Sequence, residues 1–483
     1  MAVEQTISRA GWDELVVVDR SDPEPLHTQL ARGLRQAIVD GRVPVGDRLP
    51  ASRALAAELE CSRWVVTEAY AQLAAEGWIE GRTGSATRVR NAGAGGASQP
   101  RSAPRQAPVA VRFDLAPGLP DLRAFPRRRW LDAVRVELAT LPFDDLRELD
   151  PAGDPRLRRA VSAHLGRVRG AVVTADDVLV LPGVRAGVHL VATALRASGA
   201  GVIAVEDPGW PRLRDAIRAA GLEPLPVPVD ADGLRVDLLP RDGSVRAVVT
   251  APAHQYPTGT VLPPARRAQL VSWAQSVDGV VVEDDYDSEF RYDRRPYGVL
   301  QALAPEHGVL LGSVSKTLAP ALATGWLVAR GEWRARIASA LASPIGPGLI
   351  DQLALASFVE SGQYDRHLRS ARLRFRRRRD ALLAALAVAL PEAEISGSAA
   401  GLHLLLRLPG GADPVAVVAA GARRGLRLSA AAPTAVRARS YDACLILGYG
   451  NLADAAVGEA VRTLVESVRE AAEGAGDPRK ARR

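Results

Sequence analysis

Apolar residues recur at helical spacing near the beginning of the chain and predict three short helices. The first helix follows Pro25, and the second and third are predicted to begin at Ser52 and Ser62, because a serine side chain can cap the first turn of a helix. Two short segments, Trp78–Glu80 and Thr87–Arg90, follow and predict a small hairpin. Three helices and a hairpin are typical of a winged helix-turn-helix domain, which we assign to residues 24–90.

From about residue 109 the pattern changes to short apolar runs that alternate with helical stretches. Such runs predict the buried strands of an α/β sheet. The predicted strands are Val178–Leu181, Gly201–Val205, Ala247–Thr250, Val280–Glu283 and Val309–Gly312. We therefore assign a second, α/β domain to residues 109–475.

Residues 91–108 lie between the two patterned regions and are rich in Gly, Ala, Ser and Pro. Because they show no apolar period, we interpret them as a flexible linker. A long surface loop inside one domain is the alternative, which complete-looking units on both sides disfavour. Residues 476–483 form a predicted basic tail.

With 483 residues, 47% of them hydrophobic, the chain is long enough for two domains with a large core. The first twenty residues carry four acidic side chains and no apolar run, so we expect no signal peptide, and we expect no membrane-spanning segment. Cys61 and Cys444 are isolated, and the seven histidines lack the spacing of metal ligands. These features predict a cytoplasmic protein without a metal site.

The net charge of +7 does not by itself indicate a nucleic-acid partner. Residues 1–90 contain 11 arginines against 13 acidic residues, so the excess positive charge lies elsewhere. Much of it falls in Arg366–Arg379, which we interpret as the solvated face of a long helix, and in the basic tail.

Double-stranded DNA is nevertheless the partner that the first domain predicts. A recognition helix enters the major groove by its N-terminal end, while neighbouring segments contact phosphates. The residues we expect at the duplex are Arg48, Arg53, Ser62, Arg63, Thr67 and, in the wing, Arg82, Thr83 and Gly84. A small helical protein-interaction module is the alternative.

Lys316 is the residue whose chemistry is most informative, because the chain has 62 Lys and Arg but only two lysines, Lys316 and Lys480. A guanidinium stays protonated, whereas a primary amine can form a Schiff base with an aldehyde. Lys316 therefore suggests pyridoxal phosphate as the cofactor. The alternative is a chance lysine in a loop.

Other candidate residues follow the predicted strands, where ligands of α/β sheets gather. They lie at Gly183, Asp207–Trp210, His254–Gly259, Asp284–Tyr286 and Ser313–Lys316. For pyridoxal phosphate, Asp284 would face the ring nitrogen, Tyr286 the ring hydroxyl and Trp210 the ring face, and Ser313 and Ser315 would bind the phosphate. Each of these residues taken alone could be a structural polar group or a core aromatic.

The first domain resembles the DNA-binding domain of the GntR family along nearly its whole length. The matching segment is PLHTQLARGLRQAIVDGRVPVGDRLPASRALAAELECSRWVVTEAYAQLAAEGWIEGRTGSATRV. The resemblance implies DNA binding. Trp64 departs from the pattern, since a smaller polar residue is common there, and this leaves the operator sequence open.

The second domain resembles the aminotransferase-like domain of MocR regulators, and thus fold-type I aminotransferases. The motifs VEDPGW, APAHQYPTG, VVEDDYDSEFRY and GSVSKTLAP occur in the same order, and FDLAPGLPDLRAFPRRRW and LILGYGNL also fit. The resemblance implies that Lys316 binds the cofactor, with Asp284 at the ring nitrogen and Tyr286 at the ring oxygen. It also places His254 and Tyr256 beside the cofactor. It further implies an effector carboxylate at Arg212 and a homodimer, which we expect to be head-to-tail.

Three departures from the MocR pattern weaken the expected phosphate site. Ala323 replaces an arginine seven residues after the lysine, Glu148 replaces a tyrosine, and Gly183 is followed by Val184 and Arg185 instead of a Ser-Gln pair. We expect the cofactor to bind more weakly than in relatives, with Arg185 and the backbone at this helix start offsetting part of the loss.

Three hypotheses about function remain open. The first, which we favour, is a transcription regulator that senses pyridoxal phosphate, or a small amine or amino acid that reacts with it. The second is a working aminotransferase with a DNA-binding appendage, which would need a carboxylate-binding arginine in the region of Arg437 and Arg439. The third is a regulator that has lost the cofactor.

Overall fold

The computed structural model describes residues 12, 16, 18–81, 87–90, 110–292, 298–341, 346–397, 399–437 and 439–475. The chain divides into two compact units, residues 1–108 and residues 109–483. The predicted linker, the predicted basic tail and the wing residues Arg82, Thr83 and Gly84 lie outside the described residues.

Three helices and a hairpin form the described part of the first unit, as the sequence predicts. The elements are α1 (Leu26–Val39), α2 (Ser52–Glu58), α3 (Arg63–Ala75), β1 (Ile79–Glu80) and β2 (Arg88–Val89). The strands pair antiparallel. Leu30, Leu55 and Val66, one from each helix, are fully buried in a common core. Burial of this apolar face holds three short helices together, since none is long enough to be stable alone.

The two predicted serine caps have different outcomes. Ser62 caps α3, because its hydroxyl accepts a hydrogen bond from the Val65 amide at 3.4 Å. The prediction for Ser52 is wrong: Ala51 occupies the cap position, and Ser52 is the first residue of α2. The Ser52 hydroxyl instead accepts a hydrogen bond from Arg63 Nε at 3.4 Å.

An eight-stranded sheet forms the centre of the second unit. Its strands are β4 (Val178–Leu181), β5 (Val202–Asp207), β6 (Glu223–Asp230), β7 (Gly233–Leu234), β8 (Ala247–Thr250), β9 (Val280–Asp284), β10 (Gly308–Ser313) and β11 (Gly325–Val328). They are ordered β4-β11-β10-β9-β8-β5-β6-β7, and the run from β10 to β6 is parallel. All five strands predicted from apolar runs are present, with ends shifted by at most two residues.

Helices cover both faces of this sheet. The described helices of the second unit, the last of which pack on the smaller sheet instead, are α4 (Arg127–Thr140), α5 (Pro155–Arg169), α6 (Val184–Ala197), α7 (Pro211–Ala219), α8 (Pro264–Ser276), α9 (Gly331–Ser339), α10 (Leu349–Glu360), α11 (Gln363–Ala389), α12 (Pro414–Arg423) and α13 (Val457–Ala475). Alternate residues of β4 pack into two separate hydrophobic cores. Val178 and Val180 belong to one core, and Leu179 and Leu181 belong to the other. Burial on both faces explains why these strands are continuously apolar. None of the described helices combines the length and apolar character that a bilayer crossing requires.

A smaller sheet completes the second unit. The remaining strands are β3 (Phe113–Asp114), β12 (Glu394–Ser396), β13 (His403–Arg407), β14 (Leu426–Arg427), β15 (Ser429–Ala430) and β16 (Cys444–Gly448). The order β12-β13-β16-β15 forms an antiparallel four-stranded sheet, and β3 pairs with β14. Since β3 starts the described part of the unit, this pairing joins the first segment to the C-terminal region.

The arginine-rich helix α11 differs in part from the prediction of a solvated face. Arg366, Arg376 and Arg377 are exposed, but Arg378 is 2% exposed. Its guanidinium donates to Asp121 Oδ2 at 2.9 Å, Asp454 Oδ1 at 2.8 Å and the Tyr449 carbonyl at 3.0 Å. Arginine is buried here because its planar fork is matched by acceptors from three separate segments.

The Arg378 contacts are expected to contribute strongly to stability. Burial would raise the pKa of Asp121, but hydrogen bonds from Arg378 and Arg123 outweigh burial and hold it below its usual value. We expect Arg378→Met to lower the free energy of unfolding by about 3 kcal/mol, because Asp121 stays buried with only Arg123 as its charged partner and the buried Tyr449 carbonyl loses its donor. Urea unfolding of the full chain measures this. Arg377→Met, on the exposed face, is the control with an effect of about 0.5 kcal/mol or less; equal losses in the two variants would contradict the prediction.

Candidate functional site

A cavity of about 1130 Å³ lies at the carboxyl-terminal edge of the large sheet. The residues that follow β4, β5, β8, β9 and β10 meet there, because these five strands point the same way. The sequence-predicted residues that line it are Gly183, Val184, Arg185, Trp210, Arg212, Tyr256, Asp284, Tyr286, Ser313, Ser315 and Lys316. His254 is not among the lining residues but contacts Tyr286 directly.

Lys316 lies in the turn after β10, with its amine inside the cavity. Its Nζ donates to the Gly118 carbonyl at 2.6 Å. Burial lowers the pKa of this amine from its ordinary value, against the opposing effect of the Asp287 and Asp284 carboxylates. The amine is thereby brought closer to the neutral, nucleophilic form. Sequence reasoning did not identify Gly118, although the resemblance includes its segment.

Asp284 ends β9 and is 6% exposed. Its Oδ1 atom has no hydrogen-bond partner among the described residues. Burial raises the pKa of Asp284 to about 8; Lys316 opposes this rise, and the neighbouring acids Asp285, Asp287 and Glu206 add to it. A buried carboxyl without a partner is costly, so this atom is suited to a ligand that supplies a proton or a positive charge.

Tyr286, His254 and Asp287 form a buried polar network beside Asp284. His254 Nδ1 lies 2.9 Å from Asp287 Oδ2 and 3.0 Å from the Tyr286 hydroxyl. Burial raises the pKa of Tyr286 well above its ordinary value, with a further contribution from Asp287. An imidazole that donates Nδ1–H to Asp287 leaves the tyrosine proton available for another acceptor.

His403 packs against this network from β13. Its ring centroid lies 5.0 Å from that of His254, and its Nε2 lies 3.2 Å from the Pro257 carbonyl. Burial, reinforced by His254, lowers the pKa of His403 well below its ordinary value, so it is neutral. Sequence reasoning missed both Asp287 and His403. Asp287 had a signal in its place within the acidic run that contains Asp284, whereas nothing local marked His403.

The beginning of α6 forms another wall of the cavity. Gly183 precedes the helix with φ 147° and ψ −175°, a conformation that is essentially restricted to glycine. The first backbone amides of α6 have no carbonyl partner within the helix and can bind an anion. Ser313 and Ser315 line the same cavity, and the Ser315 amide donates to Ser313 Oγ at 3.4 Å. These groups are suitable for a phosphate.

The other two departures in the expected phosphate site lie away from this wall. Ala323 is exposed, with φ 44°, directly after the turn Pro320–Leu322. Glu148 is also exposed. Neither is among the described residues that line the cavity.

Arg212 lies between the large cavity and a second cavity of about 420 Å³. Trp210 and Tyr256 also line both cavities, and Val418 and Leu428 belong to the second. Arg437 lines neither cavity among the described residues; its backbone amide donates to Asp207 Oδ2 at 2.9 Å. Only the backbone of Arg439 is described.

In the first unit, the DNA-contact candidates that are described are exposed. They are Arg48, Arg53, Ser62, Arg63 and Thr67. Ser62, Arg63 and Thr67 lie at the start of α3, where the helix dipole adds positive potential. Thr67 Oγ1 donates to the Arg63 carbonyl at 2.9 Å.

Two protein families match the chain, one in each unit. Residues 26–89 match the family described as bacterial regulatory proteins, gntR family. Residues 132–426 match aminotransferase class I and II, a family whose fold implies use of pyridoxal phosphate.

Two curated relatives match this chain over most of their own length. The pyridoxine biosynthesis transcriptional regulator PdxR of Corynebacterium glutamicum is 34% identical over 86% of this chain and 90% of that protein. The probable rhizopine catabolism regulatory protein MocR of Rhizobium meliloti is 31% identical over 77% of this chain and 79% of that protein.

Solved aminotransferases share the fold of the second unit. An archaeal alanine:glyoxylate aminotransferase superposes with a TM-score of 0.68 at 24% identity, covering 74% of this chain and 91% of the other. A mutant aspartate aminotransferase of Thermus thermophilus superposes with a TM-score of 0.65 at 21% identity, covering 76% of this chain and 99% of the other. The two family matches and the 34% identity with PdxR over most of both chains show that the chain belongs to the MocR and PdxR type of helix-turn-helix transcriptional regulators, in which a gntR-family DNA-binding domain precedes an aminotransferase-like domain.

Proposed function

We propose that residues 109–475 bind pyridoxal phosphate through Lys316, and that the bound cofactor, or an amine that reacts with it, controls DNA binding by residues 24–90. The observation that carries this proposal is that one cavity is lined both by the half-buried Lys316 and by Asp284, whose buried Oδ1 atom has no hydrogen-bond partner among the described residues. The name of the PdxR relative, a regulator of pyridoxine biosynthesis, supports the cofactor itself as a signal.

The residues that line the cavity fit both the ring and the phosphate group of such a cofactor. Pyridoxal phosphate, when bound, supplies an aldehyde for an amine and a ring that withdraws electrons. Lys316 provides the amine, Asp284 holds a proton at the ring nitrogen and Tyr286 donates to the ring oxygen. The amides at the start of α6, with Arg185, Ser313 and Ser315, bind the phosphate. Trp210 covers the ring, and His254 and Tyr256 lie beside it.

Cofactor binding is proposed to be weaker than in relatives that carry the full set of phosphate ligands. Compared with the pattern of the relatives, Ala323 supplies no guanidinium, Glu148 supplies no tyrosine hydroxyl, and Val184 supplies no side-chain donor. Losing one charge-assisted contact costs roughly 1.5–3 kcal/mol. Such weakening suits a sensor, since occupancy then follows the free concentration of the ligand.

Arg212 is the proposed site for the carboxylate of a small amine or amino acid. It is exposed between the two cavities, within reach of a ligand in either. An amino compound that took the place of the Lys316 amine at the cofactor would change the contacts of both Lys316 and Arg212. This difference in contacts is what can shift a conformational equilibrium.

We further propose a homodimer, head-to-tail in the form that the resemblance implies. Large apolar side chains of α4 and the turn after it are exposed: Leu131 by 54%, Val136 by 57%, Phe143 by 93% and Leu146 by 56%. Clusters of exposed apolar residues of this kind mark protein interfaces. A second copy of the chain is the proposed partner.

The lysine prediction can be tested with the chain's own second lysine as control. With added pyridoxal phosphate, the wild-type protein is expected to gain a visible absorption band, and borohydride should fix the cofactor on the peptide that contains Lys316. Lys316→Ala should lose both signals, because no other amine lies in the cavity among the described residues. Lys480→Ala should retain both. A band that persists undiminished in Lys316→Ala, or no band in the wild type at saturating cofactor, would refute cofactor binding at this lysine.

The regulatory part requires a second measurement on the same samples. A duplex selected from a random-sequence pool by the full-length protein serves as the DNA probe. Its affinity should change when pyridoxal phosphate is added to the wild type and stay constant for Lys316→Ala. Turnover of an amino donor with a keto acid would instead favour an aminotransferase.

Asp284 is expected to act through its charge, not its shape. Asp284→Asn preserves the size of the side chain but cannot hold a cationic ring nitrogen, so we expect affinity for pyridoxal phosphate to fall about 10- to 100-fold. An absorbance titration measures the change. Asp232→Asn, exposed in the turn between β6 and β7 and away from the cavity and the proposed interface, should leave the titration unaltered. An unchanged affinity in Asp284→Asn would exclude this role.

The dimer is tested by placing charges on the exposed apolar segment. Phe143→Glu combined with Leu146→Glu is expected to convert the dimer to a monomer, since two carboxylates would be buried in the interface without partners. Sedimentation velocity gives the masses. Val388→Glu changes a side chain that is 84% exposed on α11 and is the matched control. If the double variant sediments like the wild type, the interface lies elsewhere.

A further inference from the structure

Trp64 is a large aromatic side chain held in solvent on the DNA-binding unit. It is 62% exposed, whereas Trp12 and Trp78 of the same unit are packed against its core. An indole left exposed does not contribute the hydrophobic stabilisation that its burial would give. A tryptophan in this position therefore suggests a partner that covers it.

The position of Trp64 on α3 restricts what that partner can be. It is the second residue of the helix, and the Ser62 cap fixes the backbone just before it. Thr67 is three residues further on and shares its face, and both are exposed. This is the helix end that enters the major groove in proteins of this architecture.

The indole is also held in place before any partner binds. The His27 ring packs edge-on against it, with centroids 5.4 Å apart and planes at 71°. His27 belongs to the first turn of α1, so the contact ties the beginnings of α1 and α3 together. Reduced rotation of the side chain lowers the entropy that binding must overcome.

Charge complementarity favours DNA over a protein as the partner. Arg63 is adjacent to Trp64, and Arg53 and Arg48 are exposed on the segment before the helix. The guanidinium groups of these three arginines and the positive end of α3 would attract the phosphate backbone of DNA close to the indole.

We propose that Trp64 packs on the 5-methyl group of a thymine in the major groove and so makes thymine a requirement at one position of each half-site. Thymine is the base that presents an apolar group in that groove, whereas the other base edges present donors and acceptors. Trp64 would thus determine sequence specificity, while the arginines supply affinity that does not depend on sequence.

The test pairs a change in the protein with a change in the DNA. The full-length protein selects a duplex from a random-sequence pool, and each thymine of that duplex is then replaced in turn by uracil, which lacks only the methyl group. For the wild type, one such position per half-site is expected to weaken binding about fourfold or more, the equivalent of one buried methyl group. Trp64→Ala is expected to bind the parent duplex more weakly and to make no distinction between thymine and uracil at that position.

Two further variants keep the result interpretable. Val45→Ala removes another apolar side chain of the unit, 53% exposed and outside α3, and should behave as the wild type in every titration. His27→Ala should retain part of the thymine preference, because the indole remains but is less restrained. Circular dichroism of Trp64→Ala should be unchanged, since the side chain is exposed.

Three outcomes would overturn the proposal. A uracil penalty of the same size in the wild type and in Trp64→Ala would show that another residue contacts the methyl group. Wild-type affinity in Trp64→Ala would show that the indole is not at the DNA. An altered mass of free Trp64→Ala in sedimentation, with DNA binding intact, would identify a protein as the partner that covers Trp64.

Discussion

The burial of charge at one edge of the large sheet is the constraint on which the second unit depends. Five segments end there, and they bring acidic groups close together in a place with little water. Each acid needs a partner: Asp285 has Arg169, at 2.9 Å and 3.0 Å through both carboxylate oxygens, and Asp287 has His254. Asp284, which lines the cavity, keeps its Oδ1 atom without a hydrogen bond in the described part of the chain. The fold thus stabilises the surroundings of one carboxyl while leaving that carboxyl ready for a ligand.

Much of the architecture could be predicted because it depends on local signals. Apolar runs predict five strands of the large sheet, because these strands are buried on both faces. Helical spacing predicts the first unit, because its helices are buried on one face. The residues that follow the strands could also be grouped, because parallel strands bring their carboxyl ends together. The chemistry of the rare Lys316 predicts that these residues share one site, and in the structure all of the cofactor candidates except His254 line one cavity.

What could not be predicted depends on contacts between distant segments. Arg378 looked like its neighbours on an arginine-rich helix, yet it reaches Asp121, 257 residues away in sequence. His403 enters the site from the smaller sheet, and its spacing from the other candidates carries no signal. The sequence predicts Ser52 as a cap, but Ala51 holds the cap position and Ser52 is already the first residue of the helix. In each case the deciding interaction appears only when the chain is folded.

The hydrogen bond from Lys316 to Gly118 has a mechanical consequence. Gly118 lies a few residues after β3, in the stretch with which the described part of the second unit begins. The atom that would react with an aldehyde is therefore the same atom that anchors this entry segment. A bond formed at that nitrogen must therefore change this hydrogen bond, and with it the contacts of the first described segment of the second unit.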